Sequence, residues 1–296
     1  MRSDFPNSTE IPRVVPVSVV IPCFNEEEGL PHLAEALDQL RAMLRGEYVP
    51  TFIFVDDGSV DRTPQLLQSL FGDNADCQMI RLEANQGIAA ALLAGIRRSN
   101  AEIVCTIDSD CTYDPCELAR MIPLLTADVQ VVTASPYHPA GKVLDVPLWR
   151  LRLSKTASAL YRCVLRQKLS TYTSCFRVYR RSCMAELRIS DNRFSGVAEI
   201  LGRLDLQGAK IVEYPATLRV RRLGRSKMKL FRTIIAQLSV LLRLTWLRWT
   251  RPAVTPATEP VAAVSNSGNF QPANANQLTN AEILTIKQGH DHATDN

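Results

Sequence analysis

Two apolar runs in this chain end in carboxylates: Thr51 to Val55 opens into Asp56-Asp57-Gly58-Ser59, and Glu102 to Ile107 opens into Asp108-Ser109-Asp110. Hard oxygen donors one residue apart can share a divalent cation, and Mg2+ or Mn2+ held in this way can bridge two phosphates. If the runs are parallel strands, their carboxyl ends border the crevice in which open α/β sheets bind ligands. The chemistry suggested is that of a nucleotide-diphosphate site. Neither cluster is specific alone, because Asp-x-Asp also suits a solvated turn or a helix cap, and Asp-Gly marks a turn. A third polar cluster, Asn25-Glu26-Glu27-Glu28, follows another apolar run after Pro22, so three strand ends converge on one crevice.

The elements that must position these groups follow from hydrophobic periodicity. Strands are expected at Val17 to Ile21, Thr51 to Val55, Gln78 to Leu82, Glu102 to Ile107 and Val129 to Thr133. Helices are expected between them at Leu30 to Leu44, Thr63 to Leu70, Gln86 to Arg98 and Pro115 to Leu125, the last capped by Asp114. This alternation predicts a parallel sheet with crossover helices. Beyond Thr133 it gives way to a basic helix at Leu148 to Arg166, a β-like run at Tyr172 to Tyr179, a helix near Val197 to Gln207 and a strand at Lys210 to Tyr214. No internal repeat is present.

The 296 residues are 46% hydrophobic, which excludes a disordered chain and suffices for one well-buried domain with appendages. The formal net charge of +4 conceals an asymmetry: residues 1–140 hold nine Arg and no Lys against 20 acids, whereas residues 141–251 hold 24 Lys and Arg against six. An acidic, cation-using half is thus joined to a half that faces something anionic. Nucleic acid is a poor candidate, because the aromatics are not in a stacking motif and the acidic crevice would repel a phosphate backbone. The eight cysteines include no Cys-x-x-Cys pair, which argues against a zinc site and for reduced thiols. Arg2 to Pro16 carries no apolar core of the signal-peptide type, so the expectation is a protein on the cytosolic side.

From Lys229 to Trp249 the chain is apolar, but Arg232, Arg243 and Arg248 interrupt it, so the longest uncharged stretch, Thr233 to Leu242, is too short to span a bilayer. With Phe231, Trp246 and Trp249 and no acid from Arg219 to Arg251, residues 229–251 suit an amphipathic helix at an anionic membrane surface. Packing on the core or on a second subunit fits the same pattern. Residues 252–296, rich in Pro, Ala, Asn, Thr and Ser, read as a disordered tail, and residues 1–16 as an N-terminal extension.

Taken in order, Val19-Val20-Ile21-Pro22-Cys23-Phe24-Asn25-Glu26, Val55-Asp56-Asp57-Gly58-Ser59-Val60-Asp61-Arg62-Thr63, Asn85-Gln86-Gly87 and Asp108-Ser109-Asp110 resemble the family 2 inverting glycosyltransferases. The resemblance implies a GT-A fold over residues 17–228: α/β, Rossmann-like, with a mostly parallel sheet and flanking helices. Ser135-Pro136-Tyr137, Leu148 to Ser154, Thr173 to Arg181 and Gly224 to Lys229 are similar to the dolichyl-phosphate mannosyltransferase branch, which moves sugars from nucleotide donors to polyprenyl phosphates. By that resemblance Pro22, Asn25, Glu26, Asp56 and Asp57 border the nucleobase and ribose. Asp108 and Asp110 hold Mg2+ or Mn2+ on the donor diphosphate, with Thr112 touching the metal site. Arg150 and Ser154 lie near the acceptor phosphate, and Arg222, Ser226 and Lys227 lie in a loop over the phosphates.

Two departures from the branch stand out. Pro136 replaces an Arg that grips phosphate, which leaves Arg150, Arg152, Lys155 or Lys142 for that work. Cys175 replaces a Gly and adds a side chain at a close-packed spot. An ionised phosphate acceptor needs no general base. Glu199 could still be a base, a sugar ligand or an ordinary helix acid. The sequence thus points to a metal-dependent, peripheral-membrane enzyme on the cytosolic face, with a nucleotide-diphosphate sugar (GDP-mannose or UDP-glucose type), a polyprenyl phosphate and the membrane surface as partners and a homo-oligomer open. A glycan hydroxyl acceptor and a non-catalytic nucleotide-binding module remain as alternatives. A dinucleotide oxidoreductase does not, since Pro22-Cys23-Phe24-Asn25 stands where its glycine fingerprint would follow the first strand.

Overall fold

The computed structural model describes residues 14–220 and 230–250. Strands β1 (Val15–Cys23), β2 (Tyr48–Asp56), β3 (Cys77–Arg81) and β4 (Ile103–Thr106) are joined through helices α1 (Leu30–Leu44), α2 (Thr63–Phe71) and α3 (Ile88–Arg98). Beyond them lie a short helix α4 (Leu118–Met121), β5 (Val131–Ser135), β6 (Lys142–Leu144), α5 (Leu148–Val164), β7 (Arg177–Arg180), α6 (Phe194–Leu206), β8 (Ile211–Pro215), β9 (Thr217–Arg219) and α7 (Leu230–Thr250). Seven strands form one sheet in the order β3-β2-β1-β4-β7-β5-β8, and β6 pairs with β9 in a small second sheet. All pairings are parallel except those of β7, which runs antiparallel to both β4 and β5. Strand order reverses between β1 and β4, so the crevice of the fold opens at the carboxyl ends of β1, β2 and β4.

Both faces of the sheet are covered, and the strand sequences show it. Val17, Val19 and Ile21 of β1 and Phe52 and Phe54 of β2 point into one core, while Val20, Ile53 and Val55 point into the other. On the first face α1 buries Leu30, Leu33, Leu37, Leu40 and Leu44, a helical stripe in which each fully buried leucine contributes about 1.5–3 kcal/mol. On the second face α3, α5, α6 and α7 pack together.

Several expected elements change shape for identifiable reasons. The region Pro115 to Leu125 is not one helix. Pro123 cannot donate an intrahelical bond, and the segment divides into a 3-10 turn at Pro115–Glu117, α4 and a second 3-10 turn at Ile122–Leu124. The cap is present: Cys116 N–H donates to Asp114 Oδ1 at 2.9 Å. Helix α3 begins at Ile88 rather than Gln86, because Gly87 holds φ +104°, where a Cβ would sit 2.5 Å from the Asn192 carbonyl oxygen. Only Arg177–Arg180 of the β-like run is strand. The stretch before it is a loop tied down by carboxylates, with Asp205 accepting from Arg166 and Gln167 N–H and Glu213 from Ser170 and Thr171 N–H.

Residues 230–250 form one helix that packs against α5 and α6 and belongs to the same compact unit as the sheet. Among the described residues no helix is long and apolar enough to cross a membrane. Of the extension expected at 1–16, residues 15 and 16 belong to β1, and residues 1–13, the segment 221–229 and the tail at 252–296 lie outside the described residues.

Candidate active site

The first acidic cluster is built by a turn. Asp56 is the last residue of β2, and its Oδ1 accepts Ser59 N–H at 2.9 Å across Gly58, whose φ of +71° closes the loop. A Cβ at Gly58 would lie 2.6 Å from the Ala84 backbone, so the position admits only glycine. The neighbouring carboxylates differ in employment. Asp57 is saturated: it accepts Gln86 N–H at 2.7 Å, Gly87 N–H at 2.8 Å and Asn85 Nδ2 at 3.0 Å. Burial nonetheless raises its pKa against the lowering effect of those amides. Asp56 is equally buried at 3% exposure, and its Oδ2 accepts no hydrogen bond. The Arg81 Nε lies 3.3 Å away, in ion-pair range but out of hydrogen-bond alignment.

Beside this turn, Asn25 (φ +52°) donates its N–H to Ser59 Oγ at 2.9 Å and accepts Val60 N–H on Oδ1 at 2.8 Å. Glu26 N–H donates to Thr63 Oγ1 at 2.7 Å. Pro22 lies opposite Val55 in the β1–β2 ladder.

The second acidic cluster follows β4. Thr112 N–H donates to Asp110 Oδ1 at 3.1 Å and Cys111 holds φ +51°, so the Asp108-Ser109-Asp110 segment curls into a turn instead of continuing the strand. Burial first, then Asp110 and Glu26, raise the Asp108 pKa above the ordinary carboxylate range, while a hydrogen bond to Cys175 and the charge of Arg177 act the other way. Such a cluster of repelling carboxylates is relieved by a cation. Two hard oxygen ligands with the remaining places left to phosphate or water suit Mg2+ or Mn2+. Among the described residues no three His, Cys, Asp or Glu group together as a metal cage.

The antiparallel β7 brings in a third wall. Thr106 pairs with Arg177, so the residues just before β7 meet the residues just after β4, and Cys175 comes against Asp108. Arg177 is fully buried. It donates to Tyr172 O at 2.7 Å, Val197 O at 2.9 Å, Tyr179 Oη at 3.2 Å and Thr133 Oγ1 at 3.4 Å, so it braces the loop behind the acidic pair. In the sequence it stood within the Thr173 to Arg181 segment, as a charge inside the apolar run Cys175 to Tyr179, with no role assigned. Arg219, not singled out from sequence, lines the same space, and its N–H donates to Thr112 O at 2.9 Å.

A cavity of about 660 Å3 adjoins the second acidic cluster and the third wall, while Pro22, Asn25, Asp56 and Asp57 are not among its lining residues. Glu26, Asp108, Asp110 and Thr112 line it together with Pro136, Tyr137, Ser154 and Cys175. Apolar side chains of α5 and α7, among them Leu151, Leu160, Leu238 and Leu241, also line it. Ser154 thus joins the expected site. Arg150 lies in the first turn of α5, with its side chain outside the described ones, and Arg222, Ser226 and Lys227 lie outside the described residues.

Glu199 is a structural group. Its buried carboxylate accepts Ser190 and Asp191 N–H and pairs with Arg203 Nη2 at 2.6 Å, and it is not among the residues that line the cavity.

A family model described as "Glycosyl transferase family 2" matches residues 18–188. The polyprenol monophosphomannose synthase of Mycolicibacterium smegmatis is 31% identical over 218 residues, 71% of this chain and 80% of that protein. The undecaprenyl-phosphate 4-deoxy-4-formamido-L-arabinose transferase of Photorhabdus laumondii is 29% identical over 230 residues, 77% of this chain and 68% of that one. The fold matches glucosyl-3-phosphoglycerate synthase from Mycobacterium tuberculosis, crystallised with Mn2+, UDP and phosphoglyceric acid, with a TM-score of 0.57 at 21% identity over 80% of each chain.

Proposed function

The chain belongs to glycosyl transferase family 2, and from that premise we propose that it transfers a sugar, with inversion, from a nucleotide-diphosphate sugar of the GDP-mannose or UDP-glucose type to a polyprenyl phosphate at the cytosolic membrane face. The observation that carries this reading is the lining of the cavity, which combines the acidic pair with apolar side chains of α5 and α7 that suit an isoprenoid chain. The similarity to proteins named for polyprenol and undecaprenyl phosphates supports the same acceptor class.

The residues divide the work. Asp56 offers a buried carboxylate oxygen that accepts no hydrogen bond and has only the exposed Arg81 in ion-pair range, an acceptor for an imino N–H of the nucleobase, while Pro22, Asn25 and Glu26 shape the adjoining pocket. Asp57 acts through the Asn85-Gln86-Gly87 loop. Asp108 and Asp110, with Thr112 beside them, hold Mg2+ or Mn2+, which as a Lewis acid would stabilise the departing diphosphate. Arg150, Ser154 and Ser226 serve the acceptor phosphate, and Arg222 and Lys227 the donor phosphates.

The acceptor arrives ionised, so positioning and neutralisation replace a general base. Glu199, Asp205 and Glu213 are all engaged by backbone amides, which supports this reading.

Helix α7 supports the membrane part of the proposal. One stripe, Gln237, Val240, Leu241 and Leu244, is buried, while a second, Ile235, Leu238, Leu242, Trp246 and Trp249, is exposed together with Leu148 and Trp149 of α5. A helix that is apolar beyond its packed face, with Arg243 and Arg248 nearby and exposed Trp, suits the plane of a bilayer interface.

The test is transfer of labelled sugar from GDP-mannose, UDP-glucose and UDP-N-acetylglucosamine to a short polyprenyl phosphate, with and without EDTA, for wild type and Asp110→Asn. Metal-dependent product with one donor, abolished by the substitution, is expected. Transfer to a glycan hydroxyl alone would overturn the acceptor assignment.

A further inference from the structure

We propose that Cys175 is a positioning residue of the cation site: its thiol donates to one oxygen of Asp108 and leaves the other oxygen for the divalent cation. The inference rests on the cation-site reading above. It concerns a side chain that departs from the branch, where a Gly at this position has no group to offer a carboxylate.

Among the described residues Cys175 is the one cysteine that lines the cavity, and it is 3% exposed. Its side chain is hydrogen-bonded to the Asp108 carboxylate. Burial first, and then the charge of Asp108, raise the Cys175 pKa, so the sulfur keeps its proton and acts as the donor. Asp108 is only half-buried and lines the cavity as well, which leaves carboxylate surface open to a ligand.

The backbone that carries the thiol is fixed from several sides. The Cys175 carbonyl accepts from Thr106 Oγ1, two residues before Asp108, and Phe176 N–H donates to Ser174 Oγ at 3.2 Å. Arg177 stands opposite Thr106 in the β4–β7 ladder and is fully buried. The strand that delivers Asp108 is thus tied to the residue that holds it. A sulfur that cannot drift can restrain a carboxylate. Asp108 lies in the field of Asp110 and Glu26, and repulsion between these groups turns the carboxylates away from an arrangement in which they share one ion. A donor on one Asp108 oxygen opposes that rotation, as hydrogen bonds to metal-ligating carboxylates do in general. Because a thiol is a weak donor, the effect belongs at the low end of such contributions.

The experiment measures Mn2+ binding by the full chain with saturating UDP or GDP, read from the electron paramagnetic resonance signal of free Mn2+. The proteins compared are wild type, Cys175→Ala, Cys175→Ser, Cys175→Gly and Asp110→Asn. Cys175→Ala is expected to weaken Mn2+ about three- to tenfold. Cys175→Ser keeps a donor and should bind within about twofold of wild type, whereas Cys175→Gly should be as weak as the alanine variant. If the alanine variant does not fold, the contrast between serine and glycine reads the same donor. Wild-type Mn2+ affinity in Cys175→Ala, or a serine variant as weak as the alanine one, overturns the proposal: the side chain then only fills space, and wild-type binding of Mn2+ still upholds the cation site. Absence of Mn2+ binding by wild type with either nucleotide, or undiminished binding by Asp110→Asn, removes the cation-site reading and the inference with it.

Discussion

Asp56 and Asp57 are adjacent, equally buried and chemically identical, yet their surroundings assign them opposite kinds of importance. In Asp57→Asn one carboxylate oxygen becomes an NH2. Whichever oxygen is replaced, a backbone N–H of Gln86 or Gly87 then faces a donor, because the two amides use different oxygens. The loss is one charge-assisted bond, about 1.5–3 kcal/mol, plus a stranded buried donor, about 1–3 kcal/mol. At roughly 2–4 °C per kcal/mol for a domain of this size, Tm should fall by roughly 5–25 °C. In Asp56→Asn the bond from Ser59 N–H survives on Oδ1 and the new NH2 takes the place of an oxygen that accepts nothing. Only an ion pair to an arginine that is 63% exposed is lost, about 0–1 kcal/mol. Stability should hardly change, while affinity for the nucleoside diphosphate should fall about ten- to a hundredfold. Differential scanning calorimetry and titration of UDP or GDP separate the two effects. A stable Asp57→Asn that loses nucleotide as Asp56→Asn does would refute the division of labour.

Three further outcomes follow from the same geometry. Asp108 has a raised pKa in the folded protein, so its contribution to stability is fully present below the ordinary value of 3.8 and is lost as pH rises through the raised value. In EDTA, Asp108→Asn should therefore exceed wild type in Tm at pH 8 and lose that advantage near pH 4, and an advantage independent of pH would contradict the assignment. Ala157→Trp, on the α5 wall of the cavity, should reduce transfer to long polyprenyl phosphates more than to a ten-carbon analogue and leave nucleotide affinity intact, as chain-length kinetics would show. Trp246→Ser with Trp249→Ser should leave Tm within about 2 °C, since both rings are exposed, and reduce co-sedimentation with anionic vesicles about tenfold or more.

The first half of the fold was legible because its signals are local. Period-two burial on both faces marks β1 and β2, the leucine spacing marks α1, and the carboxylates sit where strands stop. The second half was obscured because its order comes from tertiary contacts. The loop before β7 takes its shape from Asp205 and Glu213, distant in sequence, and β6 and β9 are strands only because they pair with each other. Periodicity in a single segment carries no information about either. The same limit applied to the acids: Glu199 in α6 has the sequence context of a helix-surface carboxylate and is in fact a buried organiser of the 190–191 turn.

One topological step explains how an acidic half and a basic half share a site. The parallel strands deliver Asp56, Asp108 and Asp110 to one edge of the sheet, and a further parallel strand after β4 would carry the chain away from that edge. β7 instead enters antiparallel, so its amino end, with Thr173, Ser174 and Cys175, lies at the carboxyl end of β4. Arg177 then fills the interior behind that junction, where a fully buried guanidinium is tolerated because four neutral acceptors surround it and Asp108 lies within its field. The cation that braces the fold and the anions that face the cavity are thus parts of one arrangement, and α5 adds Leu151, Ser154 and Leu160 to the cavity lining.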